Sequence, residues 1–162
     1  MSFVRRWSHA HCAKHESVLE HTAVVSMCAY GLCIKHGYPY GTVLEKALVH
    51  DIEETIVGDI PTPTKYANEG IRKEISKIEE EVVSNICEEY FDKRSEDAWF
   101  NAKDLETVSG NIIAICDTAA VVYKIWIEVN LGNSTFLEYK SNVNSALLLL
   151  MEKVMDDFKE DV

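Results

Sequence analysis

The run Ile112-Ile113-Ala114-Ile115-Cys116-Asp117-Thr118-Ala119-Ala120-Val121-Val122 sets one carboxylate in the middle of a segment apolar enough to be a core helix. An ionised Asp buried there alone costs roughly several kcal/mol, a sizeable share of a domain's stability. Asp117 therefore has to be paired, protonated or bound to a metal. Any fold of this chain must bring such a partner to it. The candidates are Lys124 on the same helix, His21 on an earlier predicted helix, and the doublet His50-Asp51 at the end of another.

The remaining segments are helical in period, and none alternates as a strand does. Ser17-x-x-Glu20 reads as a capping box that opens a helix running to about His36, and Gly37-Tyr38-Pro39-Tyr40-Gly41 breaks it. Thr42-x-x-Glu45 reads as a second capping box, leading through Ala47, Leu48 and Val49 to His50-Asp51. Gly58-Asp59-Ile60-Pro61-Thr62-Pro63 is expected to be a loop, since closely spaced prolines oppose helix. A charged amphipathic helix is predicted from Glu69 to Phe91, with Ile71, Ile75, Ile78, Val82 and Ile86 on its apolar side. Lys93 to Asp104 reads as a connection with a turn of helix near Trp99. The Asp117 helix runs to about Asn130, and Gly132-Asn133 separates it from a last helix over Ser134–Phe158. The expectation is an all-α, compact single-domain helical bundle over residues 1–162.

Charge narrows the function. A net charge of −11 argues against a general nucleic-acid surface, which needs a basic footprint. An anionic substrate must then be held by a few local cations or a metal. The five cysteines, Cys12, Cys28, Cys33, Cys87 and Cys116, form no C-x-x-C pair and lie mostly among apolar neighbours, so they read as reduced core thiols. With no basic-then-apolar leader and no apolar stretch of spanning length, the expectation is a soluble cytoplasmic protein with no membrane partner.

His21, His50, Asp51 and Asp117 make a mixed nitrogen and oxygen set suited to a borderline divalent ion such as Mn, Fe, Co, Ni or Zn. Adjacent helical residues diverge by about 100°, so His50 and Asp51 can share one ion only if the helix ends there or the ion lies over its edge. Glu54, four residues after His50 and three after Asp51, returns to the same face. Taken singly, each has a plainer role: a hydrogen-bonded structural His, a chance doublet, a solvated Glu.

The order His21…His50-Asp51…Asp117 resembles the HD-domain metal-dependent phosphohydrolases. Arg6-Trp7, the segment Glu16 to His21, and His50-Asp51-Ile52-Glu53-Glu54-Thr55-Ile56-Val57-Gly58-Asp59-Ile60-Pro61-Thr62-Pro63-Thr64-Lys65 resemble the 5′-deoxynucleotidase branch. That branch holds bacterial deoxynucleoside 5′-monophosphatases and shorter phage dATP triphosphohydrolases. The resemblance spans about Val4 to Phe136, and the short C-terminal end tilts it toward the phage type.

The resemblance implies an HD-domain bundle in which His21, His50, Asp51 and Asp117 hold cobalt, manganese or zinc. Glu54 is then the acid–base group. Arg6 grips the phosphate nearest the ion through its guanidinium fork. Trp7 packs on the sugar or base and excludes a 2′-hydroxyl, Asp59 accepts from the 3′-hydroxyl, and Lys65 reaches distal phosphates or is merely solvated. His9 stands where an apolar base contact is expected and forms an unusual cluster with His11 and His15. The implied reaction is hydrolysis of the 5′-phosphoester of a 2′-deoxynucleotide, releasing phosphate from a dNMP or triphosphate from a dNTP such as dATP. The rival readings are an HD-type phosphodiesterase on a cyclic or linear dinucleotide, and a catalytically idle nucleotide-binding module. The resemblance further implies a homo-oligomer, dimer or hexamer, with the apolar stretch Ala146 to Met151 as interface as well as core.

Overall fold

Helix boundaries follow from local capping chemistry. In a computed structural model, residues 1–139 and positions 143, 145, 147, 149 and 151 are described. Helix α1, Val18–His36, starts at the predicted capping box: the Ser17 hydroxyl accepts from the Glu20 N–H at 3.2 Å, and Glu20 Oε2 accepts from the Ser17 N–H at 2.8 Å. It ends at Gly37, whose φ of +71° is open to glycine at little cost.

Helix α2, Tyr40–Val49, begins earlier than expected. Pro39 is its N-cap, with no side-chain cap, and Thr42-x-x-Glu45 lies inside the helix. Glu45 pairs instead with Arg94. After the short helix α3, Glu54–Val57, the predicted loop holds one further helical turn, α4, Thr62–Lys65. Pro63 is tolerated because it sits in the first turn, where its missing N–H has no helical partner to lose.

Helix α5, Glu69–Tyr90, matches its predicted span, but its buried face centres on Glu79, Val83 and Cys87, and Ile71 and Ile78 are exposed. Lys93–Asp104 is no mere connection: it carries α6, Lys93–Ala102, capped by the Asp92 carboxylate accepting from the Ser95 N–H at 3.0 Å, with Trp99 in the core. Helix α7, Val108–Asn130, is capped by Thr107. Gly110 is required there, because a Cβ would come 1.9 Å from the Asp104 carbonyl oxygen. A 3₁₀ turn, Ser134–Phe136, opens the predicted last helix, and residues 137–139 and the described positions beyond are helical. The rest of Ser134–Phe158, including positions 146, 148 and 150 of the stretch Ala146–Met151, lies outside the described residues.

Helix α1 packs on α2 and α7, α2 also meets α6 and α7, and α5 packs on α6. One core joins α1, α2 and α7 through Val25, Ala29, Val43, Ala47, Ile113 and Cys116. A second joins the end of α2 to α5 and α6 through Val49, Ile52, Val83 and Trp99. A third, around Cys12, Ile125 and Phe136, holds the N-terminal arm. No described helix is long and apolar enough to cross a membrane.

Candidate metal centre and adjoining cavity

Three separate pieces of backbone deliver the ligand set. The Ser17 cap sets the start of α1, and His21, one turn in, is buried. His50 closes α2, and its Nδ1 lies 2.8 Å from the Ala47 carbonyl oxygen. With the Nδ1 proton donated to that carbonyl, Nε2 is the nitrogen turned toward the site, and it becomes a ligand when an ion displaces its proton.

Past His50 the chain tightens. Ile52 N–H bonds Val49 O, Glu54 N–H bonds Asp51 O and Thr55 N–H bonds Ile52 O, all three-residue steps. Side chains three apart eclipse in such a turn, so Asp51 and Glu54 share one side, both facing Arg6, while Ile52 and Glu53 are buried. Ending α2 at His50 is what lets adjacent residues address one point.

The side chains converge on Asp51. Its Oδ2 lies 3.2 Å from His50 Nε2, 3.5 Å from His21 Nε2 and 2.8 Å from Arg6 Nη1. Asp117 Oδ1 is 3.0 Å from His21 Nε2, and Glu54 Oε2 is 3.6 Å from Arg6 Nη1. Ligand atoms of His21, His50 and Asp51 all lie within 4.8 Å of one another, close enough to share an ion. His21 Nε2, His50 Nε2, Asp117 Oδ1 and Glu54 Oε2 are buried without a hydrogen-bond partner. Orphaned buried polar atoms are rare. Two bare imidazole nitrogens beside carboxylate oxygens are the donor set of a borderline divalent cation, so the residues fit a metal.

Asp117 itself is a correction. Its side chain keeps 44% exposure, and only the edge facing His21 is buried. The helix is apolar because Ile112, Ile113, Cys116 and Ala120 pack inward, while Asp117 lies at the mouth of the site. Lys124, the alternative partner, is 2.6 Å from Glu128 instead.

The charges divide the two carboxyls on the turn. Burial works against an ionised Asp51, but His50 and Arg6 outweigh it and hold the carboxyl well below its usual range. Burial also opposes charge on His50, yet Asp51 pushes the imidazole up to about 9. Glu54 is driven the other way: burial, then the Asp51 carboxylate, raise it to about 8. One anion that stays ionised beside one carboxyl ready to exchange a proton is the arrangement that acid–base chemistry needs.

The N-terminal arm brings in the remaining groups. Arg6 N–H bonds Glu16 O at 2.9 Å and Val18 N–H bonds Val4 O at 3.0 Å, laying the arm against the start of α1. Trp7 has a φ of +62°, uncommon for a bulky residue, and its N–H donates to Asp59 Oδ2 at 2.7 Å. Its ring packs on Phe136 and Tyr139 at centroid distances of 5.3 and 5.5 Å, and His9 stacks on it at 6.0 Å. Between the arm, the Asp59–Pro63 segment and Val121 on α7 lies a cavity of about 580 Å³, with Arg6, Trp7, His9, Asp59, Pro61, Tyr66 and Tyr139 in its wall.

Arg6, Glu54 and the four ligand candidates thus meet, and Trp7, His9 and Asp59 line the adjoining cavity. Lys65 does not join them: its ammonium donates to Glu79 Oε1 at 2.6 Å. Asp59 already spends one oxygen on the arm, leaving the other for a ligand. The histidine cluster disperses, since the His11 carbonyl accepts from Asn133 and His15 lines a separate pocket with Lys14 and Tyr123. Sequence reading missed Glu16, 3.8 Å from Arg6 Nε, and the buried Glu53 and Glu128. Helical spacing carries no signal that would have singled them out.

The pattern of the family described as YfbR-like 5′-deoxynucleotidase matches residues 1–162. A 5′-deoxynucleotidase from Shewanella oneidensis is 30% identical, over 98% of this chain and 89% of its own length. 5′-Deoxynucleotidase YfbR from Salmonella typhi is 28% identical, over 98% and 83%. An HD-domain phosphohydrolase from Listeria innocua superposes with a TM-score of 0.72 at 25% identity, covering 97% of this chain and 83% of that one. The HD phosphohydrolase of cyanophage S-2L, bound to dA and one catalytic Zn²⁺, superposes with a TM-score of 0.62 at 19% identity, over 98% and 92%, a likeness of fold.

Proposed function

The chain belongs to the YfbR-like 5′-deoxynucleotidase family, whose members are enzymes, and from that premise we propose that it hydrolyses 2′-deoxynucleoside 5′-monophosphates to deoxynucleoside and phosphate. The observation that carries the reading is the convergence of bare ligand atoms, Glu54 and Arg6 beside a nucleotide-sized cavity. His21, His50, Asp51 and Asp117 hold a divalent transition metal, with cobalt, manganese or zinc the leading ions. Such an ion supplies Lewis acidity at the phosphoryl group.

The protein's own residues do the rest. Arg6, placed between Asp51 and Glu54, clamps the phosphate and offsets the charge that develops on it. Glu54, in its ionised form, takes a proton from the attacking water and returns it to the departing 5′-oxygen; the raised value that burial and Asp51 give its carboxyl favours its holding that proton between the two steps. Trp7 packs on the sugar and leaves no room for a 2′-hydroxyl, the free oxygen of Asp59 accepts from the 3′-hydroxyl, and His9 meets the base. The monophosphate is favoured over a triphosphate because Arg6 is the one permanent cation among the described wall residues and Lys65 is engaged by Glu79.

The working form is taken as a cytoplasmic homo-oligomer, dimer or hexamer, for which the exposed Met27, Ile34 and Trp126 offer apolar surface. Separate incubation of the Co²⁺-loaded protein with dAMP, dATP and ATP, followed by product chromatography, tests the function. Deoxyadenosine and phosphate from dAMP, with ATP intact, is the expected result. Triphosphate from dATP alone makes the enzyme a triphosphohydrolase. No turnover across bases and metals returns the idle-module or dinucleotide readings.

A further inference from the structure

The turn that carries Asp51 and Glu54 is braced from behind. Glu53 is 2% exposed, and both of its oxygens are engaged: Oε2 accepts from Trp99 Nε1 at 2.6 Å and Oε1 from Lys103 Nζ at 2.6 Å. Lys103 sits 3.9 Å from the centroid of the Trp99 ring and 3.9 Å from Glu79 Oε2. Glu79 Oε1 in turn receives Lys65 Nζ at 2.6 Å. Alternating charges therefore run from Glu53 through Lys103 and Glu79 to Lys65, the last residue of α4. The same α4 carries Thr62 and Pro63 of the cavity wall.

Stability alone gives no reason for a carboxylate at position 53. Its partner Trp99 belongs to an apolar cluster with Val49, Ile52 and Ala98, and a hydrophobic side chain packed in such a place is often as stable as a buried ion pair or more so. What the charge adds is direction. Two short bonds to groups on α6 and just beyond it set the rotation of a turn in which residues three apart eclipse. That rotation sets where Asp51 and Glu54 point.

We propose that Glu53 is a positioning residue: held by Trp99 and Lys103, it fixes the rotation of the Asp51–Glu54 turn and so the placement of the ligand oxygen and of the acid–base carboxyl. The catalytic half of this proposal rests on the phosphohydrolase reading above; the metal half does not.

The test uses the full chain with Glu53→Gln, Trp99→Phe, Glu54→Ala and the double variant Glu53→Gln/Glu54→Ala. Trp99→Phe keeps the ring and removes the indole N–H, so it serves if Glu53→Gln fails to fold. Co²⁺ affinity is read from the visible absorption of the bound ion, and kcat and KM from dAMP hydrolysis. Glu53→Gln should weaken Co²⁺ binding by about 10-fold and lower kcat by about 10–100-fold, with KM changed by less than about twofold. Trp99→Phe should move both in the same direction. In the Glu54→Ala background, Glu53→Gln should cost less than about threefold further in kcat, because residues acting as one unit are not additive. Wild-type Co²⁺ affinity and kcat in Glu53→Gln and Trp99→Phe, whatever happens to Tm, overturn the proposal. Losses in kcat that multiply in the double variant overturn its catalytic half. If the wild type hydrolyses no deoxynucleotide, the functional reading fails, and the Co²⁺ titration still decides the brace.

Discussion

Replacing Glu128 by Gln tests how the N-terminal arm is held. Glu128 is fully buried on α7, and four donors meet its carboxylate. Oε1 accepts from Lys124 Nζ at 2.6 Å and Lys14 N–H at 3.0 Å; Oε2 accepts from Ala13 N–H at 2.7 Å and Asn133 Nδ2 at 2.8 Å. An amide in that place turns an NH₂ toward two donors in either orientation and leaves the Lys124 ammonium buried without its counter-charge. Breaking a buried pair by removing one partner costs about 3–5 kcal/mol. For a domain of this size that lowers Tm by about 6–20 °C.

The pH dependence carries the same signature. Burial opposes ionisation of Glu128, but Lys124, Asn133 and the backbone donors outweigh it and depress the carboxyl from its ordinary 4.5 to about 2. A depressed folded-state value stabilises above the unfolded-state value, and that contribution is lost as pH falls from about 4.5 toward 2. Thermal unfolding followed by circular dichroism should therefore show a large gap between wild type and Glu128→Gln at pH 7, closing as the pH approaches 2. A gap under about 2 °C at pH 7, or one that widens on acidification, refutes the reasoning.

Asp51→Ala should leave the protein unable to retain stoichiometric metal, read by elemental analysis after desalting, because Asp51 is the carboxylate that both histidines approach. Glu54→Ala should keep the metal and lower kcat by about 10²–10⁴; unchanged turnover removes Glu54 from the chemistry. Asp59→Ala leaves the Trp7 N–H without its acceptor, so a loss of about 1–3 kcal/mol in stability and a raised KM for dAMP are expected. Gly110→Ala forces the start of α7 away from Asp104 and should cost about 1–3 kcal/mol, read as a lowered denaturation midpoint in urea.

Much of this protein was legible from local chemistry alone. The Ser17–Glu20 box, the break at Gly37 and the apolar run of α7 are encoded by residues within a turn or two of one another, and each is present in the folded chain. The ligand candidates His21, His50, Asp51 and Asp117, with Glu54, could be picked out by residue type and spacing, whereas Arg6 was singled out only by the resemblance of Arg6-Trp7 to the 5′-deoxynucleotidase branch; the fold brings all six together. Local signals misled where two were compatible with the same text. Thr42-x-x-Glu45 has the spacing of a capping box, yet Glu45 found Arg94 on α6; Pro63 looked like a helix breaker, yet it stands in a first turn.

Tertiary structure decided the rest, for a physical reason. Periodicity says which side of a helix is apolar, and it is silent on which neighbour covers it or which edge stays open. Asp117 therefore read as sealed in the core although it lies at the mouth of the site, and Lys65, which read as either a distal-phosphate contact or a solvated side chain, is engaged by Glu79 on α5. Of the two glutamates at 53 and 54, one was singled out; Glu54 faces Arg6, and Glu53 is held by Trp99 and Lys103, residues about fifty positions away in the chain. Which glutamate faces Arg6 and which is turned to Trp99 and Lys103 depends on the packing of α6 against the end of α2, a long-range contact that no local pattern encodes.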